Sequence, residues 1–135
     1  MTIQRATPYL MLGGRASQAI SFYEKALGAK VEARQTFGDV DRSCPEARRD
    51  FIMHAELRFG EAVLMLSDGP EAAPQTDSAA VSIALLLNDR QEAQHVFTAL
   101  AEGGRTVQPL IDAPWGALFG VVQDRFGFSW MFNAQ

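Results

Sequence analysis

Two side chains in this sequence are of a type and spacing to move a proton or orient a ligand together: His54 and Glu56. They lie in the run Phe51-Ile52-Met53-His54-Ala55-Glu56-Leu57-Arg58, whose alternation predicts a strand. Residues i and i+2 of a strand share a face, roughly 7 Å apart. Imidazole titrates near neutrality, so a carboxylate beside it makes a general base with a partner, or a hydrogen-bonding pair that positions a ligand. A partly buried histidine satisfied by a backbone or side-chain partner has the same spacing, and the sequence leaves both readings open. A two-residue hairpin loop at Phe59-Gly60 would set Glu56 opposite Val63 and His54 opposite Met65, with both acid–base residues on one face.

The other reactive groups are poorer candidates. His95 stands beside Gln94, off the apolar stripe of a helix, and reads as solvated. Cys44 is near Arg42, Arg48 and Arg49, and cations favour the thiolate. No histidine stands nearby as its base, so it reads as a bystander. Asp68 either reaches a ligand or shapes the turn Ser67-Asp68-Gly69-Pro70. Trp115, between Pro114 and Gly116, reads as a pocket wall or a dimer contact, with Phe119 and Val121 continuing its apolar lining. Trp130 reads as core. No glycine-rich phosphate loop occurs, and no motif for binding S-adenosylmethionine is visible.

The elements that must position these residues form a repeat. The sequence predicts strands near 7–12, 30–37, 51–58 and 62–67 with a helix over 16–27 and a long loop at 38–50, then strands near 80–87, 106–111, 117–123 and 128–133 with a helix over 90–102. Each half therefore reads β-α-β-β-β, and each contains a literal Arg-Phe-Gly, at Arg58-Phe59-Gly60 and Arg125-Phe126-Gly127. Ala16, Ile20, Tyr23 and Leu27 stripe the first helix, which Gly28 stops. Ala93, Val96, Phe97 and Leu100 stripe the second, with Asp89 and Glu92 as its capping pair. The expected organisation is one domain over 1–135, with modules at 1–67 and 80–135 and a linker at 68–79.

The expected fold class is α+β: two βαβββ modules forming a curved mixed β-sheet trough, with the helices on the outer face. Strand alternation assigns the faces. Tyr9, Met11, Leu64, Leu66, Ile83, Leu85, Leu87, Trp130 and Phe132 go to the helices. Pro8, Leu10, Leu12, Val63, Met65, Ser67, Ser82, Ala84, Leu86, Ser129, Met131 and Asn133 go to the trough. One set is uniformly large and apolar and the other is mixed, as a core face and a ligand face should be.

Composition narrows the function. A chain of 135 residues that is 47% hydrophobic and 21% charged can bury one sizeable core. A net charge of −4 without a basic cluster argues against nucleic acid, which needs a surplus of cations on one face. The longest uncharged apolar stretch, 79–87, is about half of what a bilayer requires, and no apolar leader stands at the N-terminus. A single cysteine excludes an internal disulfide and fits a reducing cytoplasm. No nucleic-acid or membrane partner is expected.

The paired modules, with Phe22-Tyr23-Glu24-Lys25-Ala26-Leu27-Gly28, resemble the vicinal oxygen chelate superfamily of glyoxalase I, extradiol dioxygenases, fosfomycin-resistance enzymes and bleomycin-binding proteins. Pro8-Tyr9-Leu10, His54-Ala55, Leu64-Met65-Leu66-Ser67-Asp68 and the stretch from Trp115 through Gly120, Asp124, Phe126-Gly127 and Trp130-Met131-Phe132-Asn133 resemble its PhnB-like subgroup. Metal-dependent members carry a His or Glu on each of four strands. The resemblance places these positions at Pro8, Met65, Ser82 and Met131, none a credible ligand for a divalent ion. The resemblance thus implies no metal and no cofactor. It implies a metal-independent small-molecule-binding protein of the glyoxalase/bleomycin-resistance fold. Its ligand would be held by Leu10, Met65, Ser67, Ser82, Trp115, Phe119, Met131 and Asn133. The alternative is a lyase, isomerase or dioxygenase acting through His54 and Glu56, with or without an atypical metal site. A homodimer is expected, since such members commonly pair.

Overall fold

The computed structural model describes residues 2–70 and 80–135, so most of the expected linker, residues 71–79, lies outside the described residues. The chain divides into two compact units, Met1–Pro74 and Gln75–Gln135. Unit one runs β1 (Tyr9–Met11), α1 (Ala16–Leu27), β2 (Lys30–Thr36), α2 (Phe37–Val40), a 3-10 turn (Glu46–Arg48), β3 (Ile52–Phe59) and β4 (Ala62–Ser67). Unit two runs β5 (Ser82–Leu87), α3 (Arg90–Ala101), β6 (Arg105–Asp112), β7 (Leu118–Gln123) and β8 (Ser129–Ala134). Each unit holds one four-stranded mixed sheet, ordered β1-β4-β3-β2 and β5-β8-β7-β6. The first and last strands of each unit pair parallel and the rest antiparallel. The fold is α+β, with the strand order of the two expected modules.

In unit one α1 packs on the sheet through Ala16, Ala19, Ile20, Tyr23 and Ala26, all buried. Small residues at three of these positions let the helix approach closely; Ile20 and Tyr23 are fully buried, as are Leu57, Leu64 and Leu66 on the sheet's core face. Burying each large apolar side chain contributes roughly 1.5–3 kcal/mol. Gly28 ends α1 in the left-handed region at φ 67°, which costs a residue without a Cβ little. Unit two repeats the plan with Ala93, Phe97 and Leu100 of α3 against Trp130 and Phe132. Phe97 meets Phe132 edge-on, with centroids 5.1 Å apart. It also approaches β7 so closely that a Cβ on Gly120 would lie 2.7 Å from its ring.

The two helices begin differently. Asp89 caps α3 locally, its Oδ1 accepting the N–H groups of Gln91 and Glu92 at 2.9 and 3.1 Å. Arg15, at the start of α1, supplies no side-chain cap. The cap comes instead from Asp68, whose Oδ1 accepts Gly14 N–H at 2.7 Å and Ala16 N–H at 2.8 Å. Its Oδ2 accepts Ile52 N–H at 2.7 Å. The bond within the turn at 67–70 is made by Ser67, whose Oγ accepts Gly69 N–H, whereas Asp68 ties together three other stretches of chain, a role the sequence reading did not assign it.

Three expectations are corrected. First, β1 is turned over: Leu10 and Leu12 are buried, whereas Tyr9 and Met11 are 41% and 59% exposed. The parallel register sets Leu10 beside Leu66 on the core face and Tyr9 beside Met65 on the open face. Leu10 is therefore core rather than lining. Second, the β3–β4 loop is Gly60-Glu61, with Phe59 opposite Ala62 and Glu56 opposite Met65. Gly60 has φ 56° and takes the first central position, where Gly-X hairpins place their glycine. Third, residues 38–50 are not plain loop. Thr36 and Asp39 form a reciprocal capping box around α2, and the Arg48 guanidinium lies 5.0 and 4.8 Å from the ring centroids of Phe37 and Phe51. Arg48 Nη2 also donates to the Gly69 carbonyl at 2.6 Å.

Replacing Asp68 by Asn sets an amide N–H₂ against backbone donors. The expected loss is about 1–3 kcal/mol of unfolding free energy by urea denaturation, and an unchanged midpoint would contradict the tie. A second test concerns the α2 cap. The Thr36 backbone N–H, and then its side chain, hold the Asp39 carboxyl below its ordinary value of 3.8. The cap is thus complete above 3.8 and is lost as pH falls through the lower folded value. The Asp39 carboxyl carbon should titrate by NMR with a midpoint below 3.8.

Candidate functional site

The open face of sheet one gathers most of the chemistry-bearing side chains of its unit. Residues directly opposite in a ladder share a face. Tyr9, Met65, Glu56 and Ala33 therefore form one row across the four strands. The next row begins with Met11 and Ser67, and His54 and Gln35 pair at its other end. His54 and Glu56 share this face as the sequence implied, because moving the hairpin pairing by two residues leaves face parity intact.

The sequence reading missed Tyr9. Its side chain reaches from β1 past β4, and its hydroxyl lies 2.7 Å from His54 Nδ1. The two rings are tilted at 58° with centroids 5.5 Å apart. The histidine thus has a polar side-chain partner, and that partner is a phenol that is itself a proton donor. The signal was present as a tyrosine at period two from Met11, but an unbroken apolar run hid which face it took. Ser67 is buried, its Oγ accepting Gly69 N–H at 2.9 Å and lying 3.5 Å from the Ile52 carbonyl.

The open face of sheet two differs in character. Ser82 and Ser129 share a hydrogen bond of 2.6 Å. Met131 stands between Ala84 and Val121, and Asn133 between Leu86 and Phe119. Trp115 is 62% exposed. Its Nε1 donates to Asn133 Oδ1 at 3.1 Å, and its ring meets Phe119 edge-on at 5.4 Å. Arg90 Nη1 bonds Asp112 Oδ1, and its Nη2 donates to the Gly116 carbonyl at 3.1 Å, which anchors the loop that carries Trp115. Ser82, Met131, Asn133, Phe119 and Trp115 are thus neighbours on sheet two, and His54, Glu56, Met65 and Ser67 on sheet one. Leu10 lies apart in the core. Cys44 is a half-exposed free thiol, and His95 is exposed on α3.

The model of the Glyoxalase/Bleomycin resistance protein/Dioxygenase superfamily matches residues 5–132. The chain belongs to that superfamily. Protein YjdN of Escherichia coli is 31% identical, over 94% of this chain and 92% of its own. Among solved structures, protein PA1353 of Pseudomonas aeruginosa is 40% identical with a TM-score of 0.84 over 98% of both chains. A PhnB protein of Bacillus cereus is 25% identical with a TM-score of 0.81 over 98% of this chain and all of its own.

Several superfamily members hold a divalent ion, so the donor set here bears on chemistry. Among the described residues no group of three or more His, Cys, Asp or Glu side chains is placed to hold one. Met65 and Met131 offer thioethers, and the Ser82 hydroxyl is engaged by Ser129. Pro8, read from the sequence as the position on β1, contributes its carbonyl to Met65 N–H at 3.0 Å, and the residue beside Met65 is Tyr9. Thioethers prefer soft ions, and one neutral hydroxyl already bonded to Ser129 does not by itself make a site for a hard or borderline divalent ion.

The Tyr9–His54 bond predicts a tautomer. A phenol donating to Nδ1 leaves the neutral ring's proton on Nε2. Long-range ¹⁵N NMR should find His54 chiefly in that form, and Tyr9→Phe should return it toward a mixture while costing about 0.5–1.5 kcal/mol at most. An unchanged tautomer ratio would show that the bond does not act on the ring.

Proposed function

We propose that this protein binds a small organic molecule without a divalent metal. The reading is supported above all by the residues at the positions that the resemblance assigns to the metal ligands, Pro8, Met65, Ser82 and Met131, which offer a proline ring, thioethers and a hydroxyl rather than imidazole and carboxylate. Methionine adapts to irregular apolar shapes, and sparse polar groups among apolar ones give orientation. On sheet one Met65 supplies the first property and His54 and Glu56 the second; on sheet two Met131 and Asn133 offer the same pairing. A homodimer belongs to the same reading: on unit two, Leu86 and Trp115 are 78% and 62% exposed and both stand beside Asn133, which makes an apolar surface there suited to association. A lyase, isomerase or dioxygenase acting through His54 and Glu56 is the second reading. The Tyr9–His54 hydrogen bond favours it, since a phenol linked to an imidazole can pass a proton.

Native mass spectrometry of protein purified without a His tag reads these points together. The expected result is a dimer without stoichiometric metal that carries, or takes up from a metabolite panel, an organic ligand. Added Zn²⁺ or Mn²⁺ should leave the unfolding midpoint unmoved, whereas a bound ion at a hundred times its Kd would add about 2.7 kcal/mol. Stoichiometric metal would overturn the first reading. Turnover of a panel compound that His54→Ala abolishes would favour the second.

A further inference from the structure

Sheet one carries a carboxylate that no cation answers. Glu56 is half-buried in the middle of β3, abreast of Met65 on one side and Ala33 on the other. Among the described residues it makes no hydrogen bond and no ion pair. The cations nearest to it on this face, Arg58 two residues along β3 and Lys30 beside Arg58, are otherwise disposed. Arg58 Nε lies 3.4 Å from Glu32 Oε1, and Lys30 sits opposite Arg58. The remaining cation of β2, Arg34, donates to Ser17 Oγ on α1 at 3.1 Å. On the other flank, His54 is engaged by the Tyr9 hydroxyl.

A partly desolvated carboxylate without a partner is costly, and a ligand that brings the missing charge offsets that cost. A neutral apolar ligand would desolvate the carboxylate further and leave it unpaired. An anionic ligand would be repelled. The surroundings add a second preference. Tyr9 presents a 41%-exposed aromatic ring in the same row, and aromatic faces attract cations. The Met65 thioether between them is polarisable and apolar.

We propose that the open face of sheet one takes an organic cation, a protonated amine on an apolar body, with Glu56 as its counter-ion and Met65 and Tyr9 against its carbon frame. This rests on the small-molecule reading above and names the ligand class. Three isosteric probes test it: 2-naphthylmethylamine, 2-naphthylmethanol and 2-naphthoate, each titrated at neutral pH into the full chain and followed by the amide signals of β3 and the Met65 methyl signal. The amine should shift those signals and bind about tenfold or more tightly than the alcohol, with the naphthoate weakest. Glu56→Gln should remove the preference for the amine without lowering the unfolding midpoint, and Glu56→Asp should keep it in weakened form. Equal binding of amine and alcohol, or an undiminished preference in Glu56→Gln, would overturn the cation assignment and leave the small-molecule reading standing. Silence of the face toward all three probes would overturn both.

Discussion

The carboxylate of Asp68 joins three stretches of chain that nothing local would bring together. It is 3% exposed, and its two oxygens accept backbone N–H groups from Gly14, Ala16 and Ile52. A buried anion is tolerated where several donors replace its water, and leaving those donors without it would cost more than the bonds are worth in water. The start of α1, the start of β3 and the end of β4 meet at this group. His54 lies two residues beyond one of these anchors, and Ser67 immediately precedes another. The position of the open face of sheet one therefore follows from this tie together with the apolar packing of Tyr23, Leu57, Leu64 and Leu66 on the opposite face.

The duplicated plan is kept in topology and abandoned in chemistry. Both units order their strands alike and cover one sheet face with a helix. Unit two has its own buried carboxylate, Asp124, yet it serves a different purpose. Its oxygens accept N–H groups of Phe126 and Phe128 and the indole of Trp130 at 2.9, 3.1 and 2.8 Å, closing the β7–β8 turn over the largest core side chain. The open faces diverge in the same way. Sheet one shows a histidine, a phenol and an unanswered carboxylate, whereas sheet two shows a tryptophan, a phenylalanine and an amide. Topology tolerates such drift because the core face supplies most of the apolar burial, leaving the other face free to change.

Much of this was legible in the residues. Helical periods ending at Gly28 and beginning at Asp89 marked α1 and α3 to within a residue, and every strand was visible as an apolar or alternating run. What stayed hidden has physical causes. Tyr-Leu-Met-Leu at 9–12 is apolar throughout, so period two carried no contrast, and only pairing with β4 decides that Leu10 faces the core. The hairpin register hinged on whether Gly60 came first or second in its loop, a choice between backbone conformations that the composition of the loop does not make. The capping box at Thr36 and Asp39 encloses a helix too short to show a period. Tyr9 and His54 are 45 positions apart, and no local pattern joins them.

The long-range cap on α1 also bears on the order in which the chain can acquire structure. A helix whose first amides are met by a neighbouring aspartate, as α3 has in Asp89, carries its cap within its own stretch of sequence. The amides of Gly14 and Ala16 must wait for a partner as many as 54 residues downstream. Closing so long a loop is paid in entropy before any bond rewards it. The cap of α1 is thus complete only once the end of β4 is in place, which couples the helix of unit one to its sheet.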